Sequence, residues 1–216
     1  MTEIQALFLH AVADTGPLLS EPVLQQRFHG PSVLAEFSVQ GLAGHLLRAV
    51  TSVDGYLDRP DPGPGASGKA ISAAEYYATV IGDESDINSD VQRAVRQRGL
   101  EAAPDHPEEF PNLWATAAER LRARLVEEAP NRLMQVYGDL VLTLDDYLVT
   151  RLIELVVHGD DLAASLDVPP PPLHPAATGL AIATLVEVAR IRHGDPAVLR
   201  ALTRRERDAV EALRVI

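Results

Sequence analysis

Residues 151–162 read Arg-Leu-Ile-Glu-Leu-Val-Val-His-Gly-Asp-Asp-Leu and form the middle of the strongest helical pattern in the chain. This pattern predicts a helix over roughly residues 145–166. Glu154 and His158 lie four residues apart in one of the most apolar parts of the sequence. A buried carboxylate is costly unless it is paired or bound to a metal. Because residues four apart share a helix face, the two side chains can hold one cation.

The polar residues of this helix form a single stripe among Leu, Val and Ile. The stripe comprises Arg151, Glu154, His158 and Asp161, which follow one another at steps of three, four and three residues. The spacing suits a metal site. It suits equally well a solvated face on which Arg151 pairs with Glu154 and His158 pairs with Asp161. In a metal site, Asp161 would orient His158 or a bound water. Arg151 would either pair with Glu154 or face an anionic substrate.

A second helix is predicted to begin after Ser38, which suits an N-cap. Its apolar stripe comprises Val39, Leu42, Leu46, Val50, Val53 and Leu57. A neighbouring stripe of small and polar residues comprises Gly41, His45, Arg48 and Ser52. Glycine inside a helix costs roughly 0.5–1 kcal/mol relative to alanine. Gly41 and Gly44 therefore indicate that another part of the protein packs closely here. Spacing does not connect His45 to Glu154.

The remaining pattern is mainly helical. Helices are predicted over roughly residues 3–12, 18–28, 72–81, 87–100, 108–128, 176–193 and 196–213. A Pro/Gly-rich loop is predicted at 58–69 and a short β-hairpin at 132–144, where Gly138 supplies the turn. Thr143 and Asp146 suit a capping box. Gly194 is expected to end the helix that precedes it.

These elements predict a mainly α protein, with a bundle of four or five helices followed by a helical piece. The proline segment 169–172 cannot continue a helix and marks a linker. We therefore expect a helical bundle over residues 1–168. Residues 169–216 are expected to form the proline linker and a C-terminal helical extension.

Composition excludes several classes of function. The net charge of −12 argues against nucleic acid as a partner. Without an apolar run of about 18 residues, we expect no membrane span. The N-terminus lacks a secretory pattern, so a cytoplasmic location is expected. With no cysteine, any metal must be held by His, Asp and Glu.

Three segments resemble a known family. Residues 38–46, Ser-Val-Gln-Gly-Leu-Ala-Gly-His-Leu, resemble the segment around the first metal-binding histidine of the mycothiol-dependent maleylpyruvate isomerase family. This family belongs to the DinB-like metal-binding helical bundles. Residues 151–162 resemble its second metal segment more closely, and 192–207 resemble the C-terminal end of some members. The resemblance does not extend to residues 58–131.

The resemblance implies a DinB-like four-helix bundle in which His45, Glu154 and His158 hold a divalent metal, most commonly zinc. It also implies that mycothiol, a low-molecular-weight thiol, is the co-substrate. The function expected from it is isomerisation or S-conjugation of a small electrophile. In an isomerase the thiolate adds to a double bond, allows rotation and is eliminated, whereas in an S-transferase the adduct is the product.

Two other functions remain open from the residues. Two imidazoles and one carboxylate leave positions free on the metal, so the site can also bind water for hydrolysis. Alternatively, the bundle is a non-catalytic protein that binds a metal or a ligand. Maleylpyruvate isomerase itself carries a further C-terminal domain after the bundle. In this chain, the last helices are expected in the position of that domain. The sequence predicts neither the electrophile nor the oligomeric state.

Overall fold

The computed structural model describes residues 1–63, 65–66, 70–80, 87–129, 131–203, 206, 210–213 and 215. Its helices are α1 (Glu3–Thr15), α2 (Pro22–Arg27), α3 (Val39–Leu57), α4 (Ala73–Val80), α5 (Asp90–Ala102), α6 (Phe110–Glu127), α7 (Leu144–Leu166), α8 (Pro175–His193), α9 (Asp195–Thr203) and α10 (Val210–Leu213). Strands β1 (Leu133–Gln135) and β2 (Val141–Thr143) precede α7, and short 3₁₀ helices cover Gly16–Ser20 and Pro107–Glu109.

Four of these helices form a bundle. Helix α7 packs on α1 and α3, and α6 closes the ring by packing on the same two helices. The apolar stripes of all four meet in one core, with Phe8, Leu46, Leu121 and Leu152 each 0 % exposed. Burial of such stripes is what stabilises amphipathic helices in water. The predicted mainly α, four-helix architecture is therefore confirmed.

The helix starts follow local capping chemistry. The side chain of Ser38 accepts a hydrogen bond from the Gly41 amide, and Thr143 accepts one from Asp146. The capping box predicted at Thr143 is only half correct. The Asp146 carboxylate accepts instead from the Thr143 hydroxyl and from the Ala73 amide. Asp146 thus ties the start of α4 to the start of α7.

The predicted β-hairpin is present. Strands β1 and β2 pair antiparallel, with Leu133 opposite Thr143 and Gln135 opposite Val141. Gly138 has a φ of +63°, a left-handed conformation that glycine adopts without strain. The hairpin leads the chain directly into α7.

Two predicted helices are divided in the structure. The stretch predicted as one helix from residue 18 to 28 is a 3₁₀ helix followed by α2, because Pro22 lacks an amide proton and begins a new helix. The stretch from 196 to 213 contains α9 and α10, with Glu206 in a turn. Parts of three predicted segments lie outside the described residues, namely residues 64 and 67–69 of the loop, residue 81, and residues 204–205 and 207–209.

The last helices pack on the bundle through a second apolar cluster. This cluster contains Ala74 and Tyr77 of α4, Ile153 of α7, Val188 of α8 and other small apolar residues. Arg192 Nη2 donates to the Tyr77 carbonyl oxygen at 2.9 Å. The C-terminal segment therefore packs on α4 and on α7, the helix that carries the polar stripe. The division of the chain at residue 168 stays a prediction.

Helix α5 lies unusually close to α3. A Cβ atom at Gly44 would overlap the Gly99 carbonyl oxygen, and one at Gly99 would lie 2.5 Å from the Gly41 carbonyl oxygen. The glycines noted in the sequence thus mark a close helix–helix contact. Within the described ranges, no helix has the length and apolar character required to cross a bilayer.

Candidate metal centre

Three side chains that the sequence separates by up to about a hundred residues converge between α3 and α7. His45 Nε2 lies 2.9 Å from Glu154 Oε2, and His158 Nε2 lies 3.3 Å from the same oxygen. One ligand atom from each residue can be chosen so that all three lie within 4.8 Å of one another. The side chains are 14–22 % exposed, so the cluster is sheltered yet reachable from solvent.

The donor set fits a divalent cation. Zinc ligands stand about 2.0–2.2 Å from the ion, so tetrahedral partners are on the order of 3.3 Å apart. Each imidazole nitrogen lies at nearly this distance from the carboxylate oxygen, and all three atoms lie within 4.8 Å of one another. Three protein ligands also leave an open position, as catalytic rather than structural sites do.

Glu154 is held in its charged form. Burial alone would raise its pKa, but hydrogen bonds with His158 and His45 and the charge of Arg151 hold that pKa well below its usual range. Arg151 Nη2 lies 3.6 Å from the other carboxylate oxygen of Glu154, Oε1. The Tyr77 hydroxyl is shared between Oε1 and the Thr150 carbonyl oxygen, each at 3.0 Å. Oε2 is left to face the two histidines.

Asp161 orients His158. The Nδ1 atom of His158 lies 2.9 Å from Asp161 Oδ2, which leaves Nε2 directed at Glu154. Burial lowers the pKa of His158, but hydrogen bonds to Asp161 and Glu154 outweigh it and raise the pKa to about 9. Carboxylates commonly support metal-bound histidines in this way. The interaction of Asp161 with His158 is thus seen in the structure, while its role at a metal stays a prediction.

His45 is oriented by packing rather than by a second hydrogen bond. Its buried Nδ1 has no hydrogen-bond partner among the described residues. The ring meets Phe37 edge-on at 6.3 Å and His158 at 4.9 Å between centroids. A Cβ at Gly99 would lie 3.5 Å from the His45 Cβ, so α5 backs the imidazole. Burial lowers the pKa of His45, which favours the neutral, metal-binding form.

Sequence reasoning missed Tyr77. A buried tyrosine hydroxyl generally needs a hydrogen-bond partner, but the sequence does not indicate which one. The partner, Glu154, lies 77 residues away and is reached only because α4 packs beside α7. The Asp146 contact with Ala73 contributes to this placement.

The fold is a four-helix bundle, and two imidazoles and a carboxylate converge between two of its helices. These features place the protein in the class of helical bundles with a candidate metal centre. Within this class, the model of one family, described as the mycothiol maleylpyruvate isomerase N-terminal domain, matches residues 9–163. The chain belongs to that family, as the resemblance predicted. The match includes residues 58–131, where the resemblance gave no indication. Comparison with curated proteins and with solved structures gives no match.

Proposed function

We propose that the protein is a metal-dependent enzyme that uses a low-molecular-weight thiol, mycothiol, to isomerise or S-conjugate a small electrophile. The observation that carries the proposal is the convergence of His45, Glu154 and His158 on one point between α3 and α7. The family name supports mycothiol as the thiol. The absence of cysteine is consistent with a nucleophilic sulfur that comes from a co-substrate.

In this proposal the three residues are the ligands of a divalent metal, with zinc favoured by the imidazole and carboxylate donors. When bound, such an ion would bind the thiol sulfur and favour the thiolate, its nucleophilic form. Sulfur and substrate would approach through the opening at which the ligands are partly exposed.

The surrounding side chains fix the ligands. Tyr77 and Arg151 bind one oxygen of Glu154, so its other oxygen keeps a fixed direction toward the histidines. With a metal bound, Asp161 would accept the Nδ1 proton of His158, which would leave the Nε2 lone pair for the metal. We assign these three residues positioning roles, because they act through the ligands.

The test is turnover by the metal-loaded protein with mycothiol and an electrophile, either maleylpyruvate or an activated haloarene. We expect thiol-dependent turnover that falls to background in His45→Ala, together with loss of bound metal. Arg122→Gln is a suitable control, since Arg122 is exposed on α6, outside the cluster.

Turnover that His45→Ala leaves unchanged would contradict the proposal, as would a purified wild-type protein that binds no divalent metal. Hydrolysis that proceeds equally without thiol would favour the hydrolase. Metal that stabilises the fold without supporting any turnover would favour a non-catalytic bundle.

A further inference from the structure

Helix α4 is a short element that carries Tyr77, whose hydroxyl lies 3.0 Å from Glu154 Oε1. Its eight residues are not part of the four-helix bundle and pack on both α7 and α8. A helix of this length is marginal by itself in water, so its position depends on what holds its two ends. The start of α4 is fixed to α7, because the Ala73 amide donates to Asp146 Oδ1 at 3.1 Å.

The last turn of α4 is held by a residue of α8. Carbonyl groups at the C-terminal end of a helix carry a partial negative charge, and a cation near them is stabilising. Within its described residues, α4 has no basic side chain in its own last turn. Arg192 supplies the cation from α8, since its Nη2 donates to the Tyr77 carbonyl oxygen at 2.9 Å. Its Nη1 donates to the Val215 carbonyl oxygen at 2.7 Å, so one half-buried guanidinium group joins three segments.

Tyr77 is therefore engaged at both of its ends. Its carbonyl oxygen accepts from Arg192, and its hydroxyl reaches Glu154. The side chain between them is 2 % exposed and belongs to the second apolar cluster, together with Ile153 of α7. In such a close-packed environment a shift of the backbone is transmitted to the end of the ring. Because the hydroxyl binds Oε1, its position affects the direction in which Oε2 faces the histidines.

We infer that Arg192 is a positioning residue of the candidate metal centre, because it holds the last turn of α4 and thereby the contact of Tyr77 with Glu154. This inference rests on the proposed function in one respect, the role of Glu154 as a metal ligand. It extends the site to the C-terminal helices, which contribute none of the three candidate ligands. Partners that orient a ligand raise the affinity for the metal. Arg192 does so at one remove, through the backbone and ring of Tyr77.

A double-mutant cycle of Arg192→Gln and Tyr77→Phe tests this connection between α8 and the metal. The zinc affinity of the full-length apoprotein is measured by competition with a chromophoric chelator. We expect Tyr77→Phe to lose roughly tenfold in affinity, as for a direct partner of a ligand, and Arg192→Gln to lose about fivefold, because it acts one step further away. In the double variant, Arg192→Gln should cost less than about twofold more, since the hydroxyl through which it acts is already removed.

Arg190→Gln is the matched control. Arg190 lies in the same last turn of α8, and its ion pairs are with Glu187 at 2.6 Å and Asp195 at 2.7 Å. Its substitution removes the same charge and should leave the zinc affinity unchanged. Arg192→Lys keeps the charge but has one ammonium group in place of two separate donors, so an intermediate loss is expected. If Arg192→Gln does not fold by circular dichroism, the same cycle is run with Arg192→Lys.

Cobalt in place of zinc provides a spectroscopic readout that a purely structural role of Arg192 would not alter. The visible absorption of bound cobalt depends on the geometry of its ligands. We expect the bands of Arg192→Gln and Tyr77→Phe to shift from those of wild type in the same direction. The bands of Arg190→Gln should coincide with those of wild type.

A zinc affinity that Arg192→Gln leaves unchanged would overturn the inference. So would a fivefold loss that persists in the Tyr77→Phe background, because Arg192 would then act by another route. An equal loss in Arg190→Gln would assign the effect to net charge and overturn it as well. Failure of the proposed function appears separately, as a zinc-loaded wild type without thiol-dependent turnover, whereas a wild type that binds no zinc would contradict both.

Discussion

Helix α3 carries two polar clusters, and they differ in how their charges are matched. Toward its C-terminal end, Asp54 contacts Arg120 at 3.0 Å and Arg124 at 3.4 Å. Arg124 also contacts Asp58 and Glu128, and Glu128 in turn contacts Arg132. Three carboxylates there face three guanidinium groups. At the His45 end, two imidazoles converge on a single carboxylate oxygen.

This difference in charge matching distinguishes a structural ion network from a candidate binding site. The Asp54 network is complete, because every acid already has a basic partner, and its members Arg120 and Asp58 are each 60 % exposed. The His45 cluster is more sheltered, and one nitrogen from each of its two imidazoles lies within 3.3 Å of the same carboxylate oxygen. Such an arrangement requires a proton or a cation between the donors, which makes it the better candidate for a metal centre.

The largest effect is expected from Glu154→Gln. The amide keeps the size of the side chain but lacks the charge that joins the two imidazoles, so metal binding should fall by more than roughly a hundredfold. Metal content measured by mass spectrometry, and zinc titration of the apoprotein, check this. Asp54→Asn makes the same chemical change in the other cluster and should retain its metal. Equal metal content in the two variants would remove the distinction between the clusters.

A stability effect of about 2–3 kcal/mol is expected from Gly44→Ala, beside His45. Its new Cβ would overlap the Gly99 carbonyl oxygen, so α5 must move. Gly55→Ala, beside Asp54, is the matched control, since a Cβ there would meet no atom within 4 Å beyond its chain neighbours and the backbone of its own helix. That variant should gain about 0.5–1 kcal/mol from higher helix propensity. Denaturant unfolding of both variants measures the contrast, and destabilisation of the two by similar amounts would contradict it.

A smaller effect on the metal is expected from Asp161→Asn. Asparagine can still accept the Nδ1 proton of His158 but lacks the negative charge, so zinc affinity should drop roughly 10–100-fold. The neighbouring Asp160→Asn removes the same charge from an exposed position and should change affinity little. Competition with a chromophoric chelator measures both. An equal loss in the two variants would show that overall charge, rather than orientation of His158, is responsible.

The smallest effect is expected from Arg120→Gln. The Arg120 side chain is 60 % exposed, and surface ion pairs contribute about 0–1 kcal/mol. We expect a loss of less than about 1 kcal/mol in the free energy of unfolding and no change in metal affinity. A loss of metal from this variant would show that the two clusters are coupled along α3.

Much of the fold was predictable because it depends on local pattern. The N-caps at Ser38 and Thr143, the hairpin turn at Gly138 and the end of α8 at Gly194 each follow from a few neighbouring residues. The divided helices were harder. A proline at the first position of a helix is compatible with apolar periodicity on both sides. The pattern therefore predicted one continuous helix across Pro22.

The candidate site was predictable in part. The stripe from Arg151 to Asp161 is a property of one helix and is visible at steps of three and four residues. Whether that stripe faced water or protein was open from spacing, since both arrangements obey the same periodicity. The family resemblance added His45 as the expected third ligand, but the residues themselves contained no link between the two helices.

The sequence alone was therefore sufficient for most of the helices, for the N-caps at Ser38 and Thr143, for the glycines of close packing and for the polar stripe of α7. Tertiary structure was needed for the meeting of His45 with Glu154 across 109 positions and for Tyr77 on the same carboxylate. The physical reason is one of range. Helix periodicity and capping are set by neighbours within about one turn, whereas contacts between helices depend on how the apolar faces of the bundle pack together.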